Sequence, residues 1–358
     1  LAKRLYLDHA ATTPVIPAAR DAYLDGLSRW ANPSSPHGEG RAARAALEDA
    51  RARTKAALGW PGELIFTSGA SEAIAIALTR TESDARFVSG VEHDAVHRLL
   101  PKAFFVPVLA DGTVARDALV GRLAALGARN PLVAIQSVNN ESGVVQPLAA
   151  LAPVVRNAGG LLFADCAQSA GKLPLPEADL IAVSGHKFGA PAGIGALLVK
   201  DLAMIQPSGG QEKGYRPGTE NLPGALAMAA ALETSRGWIS RAGDLRAHLD
   251  GAIEAAGGQV VARRAERSPA IASYRMPGVA ASAQLIQFDL AGIAVSAGSA
   301  CSSGTLKVSH VLAAMGWDEK EAGEVIRVSF GPETSRADVY RFLEQWQRIA
   351  ADARTRAA

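Results

Sequence analysis

The chain has 358 residues, 48% hydrophobic and 20% charged, a balance that suits a globular protein of roughly two domains. Its 37 basic and 35 acidic side chains nearly cancel, so there is no electrostatic footprint for nucleic acid or an anionic membrane surface. Two cysteines, Cys166 and Cys301, are too few for a disulfide framework and fit a reducing compartment, with the cytoplasm as the default.

No apolar run reaches the roughly 18 residues that a membrane span needs, and the first eight residues lack the apolar centre of a secretory leader. Residues 41–53 interleave basic side chains with Ala, Leu and acids, the pattern of a solvated helix face. Short apolar runs at 64–66, 87–88, 132–137, 161–164, 180–183 and 195–199 read as strands. Between them lie amphipathic stretches such as 148–157, which Gly159-Gly160 closes as a helix stop. Apolar strands separated by helices predict an α/β fold with a mostly parallel sheet covered on both faces. Ligands on such a sheet sit beyond the carboxyl ends of its strands. The Gly- and Pro-rich stretch 207–223 reads as an irregular functional loop. From about residue 241 the pattern changes to a smaller α+β unit. It has a helix near 245–256, strand-like runs at 270–276, 293–295 and 324–330, and a final helix over 337–354.

Polar residues of interest follow the strands. Lys187, in Ser184-Gly185-His186-Lys187, comes directly after an apolar run; it is either a snorkelling surface charge or a Schiff-base lysine with a lowered pKa. Asp165 ends another run, where an isolated carboxylate is costly without a cation, and a pyridinium nitrogen is such a partner. Residues 67–72 place small side chains at a strand-to-helix turn. Ser71 there is either a helix N-cap or part of a phosphate cradle. His93 and His97 have the spacing of a metal-binding pair, but no third ligand stands nearby. Cys166 reads as a small buried hydrophobe, whereas Cys301 lies in a run of small residues that suits an accessible loop.

Ten segments in order resemble the cysteine desulfurases, within the class V aminotransferase-like pyridoxal-phosphate enzymes. They are residues 7–14, 32–37, 67–72, 92–93, 138–143, 164–169, 184–187, 215–221, 299–303 and 326–331. The resemblance implies a fold-type I transferase with a large cofactor-binding domain over 16–240. A small domain from 1–15 and 241–358 would carry the Cys301 loop. Pyridoxal 5'-phosphate would be held by Lys187, which also shuttles the substrate's α-proton. Asp165 would pair with the pyridine nitrogen, Gln168 with the ring hydroxyl, and His93 would stack on the ring and move protons. Ala70, Ser71, Ser184 and His186 would lie at the phosphate, and Thr219 would reach the phosphate of a neighbouring subunit in a homodimer with shared sites. Asn140, also beside the cofactor, and Arg327 would bind the substrate carboxylate. Cys301 would take sulfur from L-cysteine as a persulfide, release L-alanine and pass the sulfur to an acceptor protein such as an iron–sulfur scaffold. No metal is implied.

The match departs from the family at Ala73-Ile74-Ala75, where polar residues are usual, at 188–193, and in a short C-terminus. An aminotransferase, a selenocysteine lyase or a non-catalytic assembly subunit on the same fold are the alternatives.

Overall fold

The central strands are apolar at nearly every position, so neither face of their sheet can be left to water. The computed structural model describes residues 4–127, 129–234, 236–300, 306–307 and 309–357. In chain order its strands are β1 (Leu5–Tyr6), β2 (Glu63–Thr67), β3 (Ala85–Ser89), β4 (Phe104–Val106), β5 (Pro131–Ala134), β6 (Leu161–Asp165) and β7 (Leu180–Ser184). These are followed by β8 (Gly195–Val199), β9 (Gln259–Val260), β10 (Ile271–Arg275), β11 (Ile293–Ala294), β12 (Ser299–Ala300), β13 (Leu306–Lys307) and β14 (Val325–Ser329).

Seven of them form one sheet in the order β2-β8-β7-β6-β5-β3-β4. Strands β7, β6, β5, β3 and β4 are parallel, while β8 is antiparallel to both β7 and β2. The mostly parallel α/β sheet is thus as expected, with one reversal. Its cause is connection length. Only residues 185–194 separate β7 from β8, and a parallel return needs a crossover of roughly a dozen residues or more.

Alternation sorts the strand side chains between two layers. Phe66, Phe87, Val133, Leu162, Ile181 and Leu198 enter one core. Ile65, Val88, Leu132, Phe163, Leu180 and Leu197 enter the other, beneath the helix Ala70–Arg80. On the first side the helix Leu222–Glu233 is buried almost all round, under the helices Pro17–Ser28 and Gly38–Leu58. Its alanines permit that depth, and the neighbouring Gly26 has no room for a side chain because a Cβ would lie 2.5 Å from Pro223 Cα.

A second core gathers Leu5, Leu7, Leu249, Tyr274, Phe288, Phe342 and Trp346. It packs the antiparallel sheet β14-β10-β9 against the helices Trp238–Ala255 and Arg336–Ala357. Strand β1 pairs in parallel with β11, so the start of the chain belongs to this core. The helix expected near 245–256 begins earlier, and the run at 132–137 is a strand only through Ala134. No helix among the described residues is long and apolar enough to cross a membrane.

Phe288 and Phe342 are fully buried, and their rings stack with centroids 4.9 Å apart. Phe342→Ala is expected to cost about 3–5 kcal/mol, read as a lower urea midpoint. A midpoint within error of wild type would show that this core adds little.

Candidate active site

Parallel strands bring their carboxyl ends to one edge, and the polar residues that follow β2, β3, β5, β6 and β7 meet there around a cavity of about 940 Å³. Ala70, Ser71, His93, Asn140, Asp165, Gln168, Ser184, His186, Lys187 and Arg327 all line it. Thr219 is exposed and does not. Cys301 lies outside the described residues. Its flanks are described: β12 and β13 pair antiparallel on either side of it.

Lys187 leaves β7 on a short 3-10 turn, Gly185–Lys187. The turn closes tightly because residue 185 is glycine, where a Cβ would meet Ile194 Cγ2 at 2.9 Å. The Lys187 ammonium donates to the carbonyls of Ala10 and Ala11, each at 2.8 Å. Burial pulls its pKa down to about 8; Arg327 lowers it further, and Asp165 and Asp8 act the other way. Lysine ordinarily titrates near 10.4, so far more of Lys187 is a neutral, nucleophilic amine at physiological pH.

Asp165, at the end of β6, is buried and accepts one hydrogen bond, 2.9 Å from the Ala167 N–H. It has no direct ion-pair partner among the described residues. Burial raises its pKa, against the Ala167 N–H and the charges of His93 and Lys187. Beside it, Gln168 Nε2 donates to Ala10 O at 2.8 Å while its Oε1 is buried without a partner. A buried carboxylate and an orphaned amide oxygen suit a cationic ring nitrogen and a ring hydroxyl.

The other end of the cavity suits an anion. The helix Ala70–Arg80 starts on Gly69, which provides no side-chain cap. Gly69, not Ser71, is therefore the N-cap, which removes the capping reading of Ser71. Ser71 sits in the first turn beside free backbone N–H groups, where the helix dipole favours a phosphate. The turn lies directly against β8, since a Cβ on Gly195 would stand 2.6 Å from Gly69 Cα. Glu72 does not oppose an anion there unscreened: it accepts from Ser68 N–H at 2.5 Å and pairs with Arg216 at 2.9 Å. Arg216 comes from the 207–223 loop, which thereby braces the cradle. His186 bonds Thr12 Oγ1 at 3.1 Å, and burial with Lys187 and Lys172 lowers its pKa to about 4, so it is neutral. The residues fit pyridoxal phosphate at both ends. At the departure from the family pattern, Ile74 reaches the cavity wall and Ala73 is buried in the core below.

His93 caps the short helix Asp94–His97, its Nδ1 accepting from Ala95 N–H at 3.1 Å, which leaves Nε2 protonated. His97 instead packs edge-on against His310 and beside Phe105. Arg327 donates to Asp8 Oδ1 at 2.8 Å and to Asn140 O at 3.0 Å. Cys166 is fully buried, and burial lifts its thiol to about 12; it packs rather than reacts.

Several cavity residues were not singled out from the sequence. Asp8, Glu141 and His310 line the wall, and Lys172 is buried beneath, its pKa lowered to about 7 by burial and by Lys187. Asp8 lies inside a matched segment and Glu92 directly precedes His93, so both positions carried a signal.

The aminotransferase class-V family model matches residues 5–342. The chain belongs to that family. It is 37% identical over 379 residues to a cysteine desulfurase of Gluconacetobacter diazotrophicus, an alignment covering 98% of this chain and 94% of the relative. It is 34% identical over 388 residues to an IscS-like cysteine desulfurase of Mycobacterium tuberculosis, covering 98% and 97%. Its fold matches a NifS-like protein from Rickettsia africae with a TM-score of 0.89 at 30% identity, over 97% and 99% of the chains. This is a fold-type I pyridoxal-phosphate scaffold.

Glu92 is fully buried. Burial and, to a lesser degree, Asp165 lift its carboxyl from the ordinary 4.5 to about 8, against hydrogen bonds to Oε1 from Ser89 and Gln136 N–H. Folded Glu92 holds its proton through the window where the unfolded residue has lost it, so its contribution to stability falls as pH rises from 4.5 to 8. Glu92→Gln keeps the Oε1 acceptor and removes the titration. Urea unfolding at pH 5 and pH 8 is expected to show the variant gaining on wild type at the higher pH. Parallel pH dependences would contradict a neutral Glu92.

Proposed function

We propose that this protein is a cysteine desulfurase that converts L-cysteine to L-alanine and carries the sulfur on Cys301. The observation behind the site assignment is that the buried Asp165 carboxylate, the half-buried Lys187 amine and a helix start with no side-chain cap line one cavity. The relatives named as cysteine desulfurases support the reaction.

In this reading Lys187 holds the cofactor and moves the proton at the substrate's α-carbon. Its lowered pKa suits both tasks. Asp165 would keep the ring nitrogen protonated, Gln168 would bond the ring hydroxyl, and His93 would serve in proton transfer through its Nε2–H. Ala70, Ser71, Ser184 and His186 would hold the phosphate. The bound cofactor supplies an electron sink for the carbanion at the α-carbon. Arg327 and Asn140 hold the carboxylate. The Cys301 thiolate attacks the substrate sulfur; an S–S bond forms, the carbon–sulfur bond breaks, and the carbon skeleton leaves as L-alanine. An acceptor thiol then takes the outer sulfur of the persulfide.

We assign residues 16–240 to a cofactor-binding domain and 1–15 with 241–358 to a small one, because Leu5 and Leu7 share the second core with Phe342 and Trp346. A homodimer fits the exposed position of Thr219, which would serve the partner's phosphate. The cytoplasm and an iron–sulfur scaffold as acceptor complete the proposal.

Two variants test it. Lys187→Ala is expected to abolish the absorbance band near ~420 nm that a lysine-bound cofactor gives. Cys301→Ala should keep that band and lose sulfide and persulfide formation from L-cysteine by more than about 100-fold. Full sulfide release by Cys301→Ala would remove the persulfide role and leave a lyase that breaks the carbon–sulfur bond without a cysteine nucleophile.

A further inference from the structure

Arg327 does not wait for substrate with an open fork. Its side chain is 8% exposed, and it spends one N–H on the carboxylate of Asp8, itself 20% exposed and on the cavity wall. A second N–H goes to Asn140 O at 3.0 Å, while Nε is buried with no acceptor. The guanidinium is thus held by a single contact to Asp8 Oδ1 and left incompletely satisfied. A free carboxylate that presents both oxygens to a guanidinium makes the stronger, paired arrangement.

Asp8 is built to let go. Its backbone is locked: its carbonyl accepts from the Tyr6 hydroxyl at 3.0 Å and from Ala11 N–H at 3.0 Å, and it bridges to Ser329 at the end of β14. No other described residue bonds its carboxylate. Turning two side-chain torsions moves that carboxylate into the open cavity without disturbing the chain. Arg327 keeps its place meanwhile, because its backbone pairs with Ser296 in both directions and Asn140 O retains its bond.

We propose that Asp8 is a resident competitor for the substrate's carboxylate, neutralising Arg327 in the substrate-free enzyme and yielding it when an amino acid binds. The inference rests on the reading of Arg327 as the carboxylate site. A buried guanidinium left unpaired is strongly unfavourable, so Asp8 keeps the empty site stable. It also makes entry conditional: an amine without a carboxylate cannot complete the exchange. Asp8 is accordingly a specificity residue that acts through Arg327.

Holoenzyme titrated with L-alanine and with L-alaninol, which lacks the carboxylate, separates the possibilities by absorbance change and by calorimetry. Asp8→Asn keeps the shape and one acceptor but removes the competing charge. It is expected to lower the L-alanine Kd by roughly fivefold or more and to lower the KM for L-cysteine. L-alaninol binding should not change. Asp8→Glu, which restores the charge, should bind L-alanine as weakly as wild type and controls for folding. Unchanged or weaker L-alanine binding in Asp8→Asn, with wild type still preferring L-alanine to L-alaninol, would overturn the exchange and leave Arg327 intact as the carboxylate site. A wild type that binds both ligands equally would overturn that site and the exchange with it.

Discussion

Lys187 and Asp165 lie buried or half-buried at the ends of adjacent parallel strands without pairing with each other, and the rest of the site follows from how the chain bears that arrangement. Each charge loses hydration, and in each case burial is the largest influence on its pKa. The amine is met by the Ala10 and Ala11 carbonyls and the carboxylate by the Ala167 N–H. Neither arrangement neutralises the charge. A cofactor with a carbonyl at one position and a basic ring nitrogen at another satisfies both groups at once, which is why the two side chains together say more than either alone.

The carbonyls that hold Lys187 belong to a segment governed elsewhere. Residues 8–13 touch Lys187, Gln168, His186 and Arg327, yet they continue from β1, which is fixed to β11 in the second core. Lys187 and Arg327 are therefore linked through one short segment of chain. The segment around Cys301 is fastened to the same wall on both flanks. Ser296 pairs with Arg327 before it. After it Ser309 bonds Glu141, and His310 contacts the carbonyl of Glu92 at 2.9 Å. The described chain on either side of Cys301 is thus anchored at two cavity-lining residues, Arg327 and Glu141.

Much of this was readable in the residues themselves. The apolar runs before Asp165 and Lys187 located two central strands, and small residues at 67–72 marked the turn from β2 into the helix Ala70–Arg80. Three features were not readable. An apolar run has no direction, so Gly195–Val199 looked like its parallel neighbours, and only the short connection from β7 reverses it. Ser71 could be taken for a cap because hydroxyls serve both roles; the backbone puts Gly69 there instead. Asp8 and Glu141 lie in matched segments, but what they do was not readable there, since it depends on partners more than 100 residues away in sequence, Arg327 and Ser309. The ten ordered segments supplied the reaction, which strand patterns and isolated residues do not specify.

Two lysines have depressed pKa values, Lys187 on the cavity wall at about 8 and Lys172 buried beneath it at about 7, and only one of them can be the cofactor's anchor. Borohydride reduction of the holoenzyme, followed by proteolysis and mass spectrometry, fixes the cofactor to whichever amine carries it. The account predicts the pyridoxyl mass on Lys187 alone. The same mass on Lys172, or on neither, would contradict it.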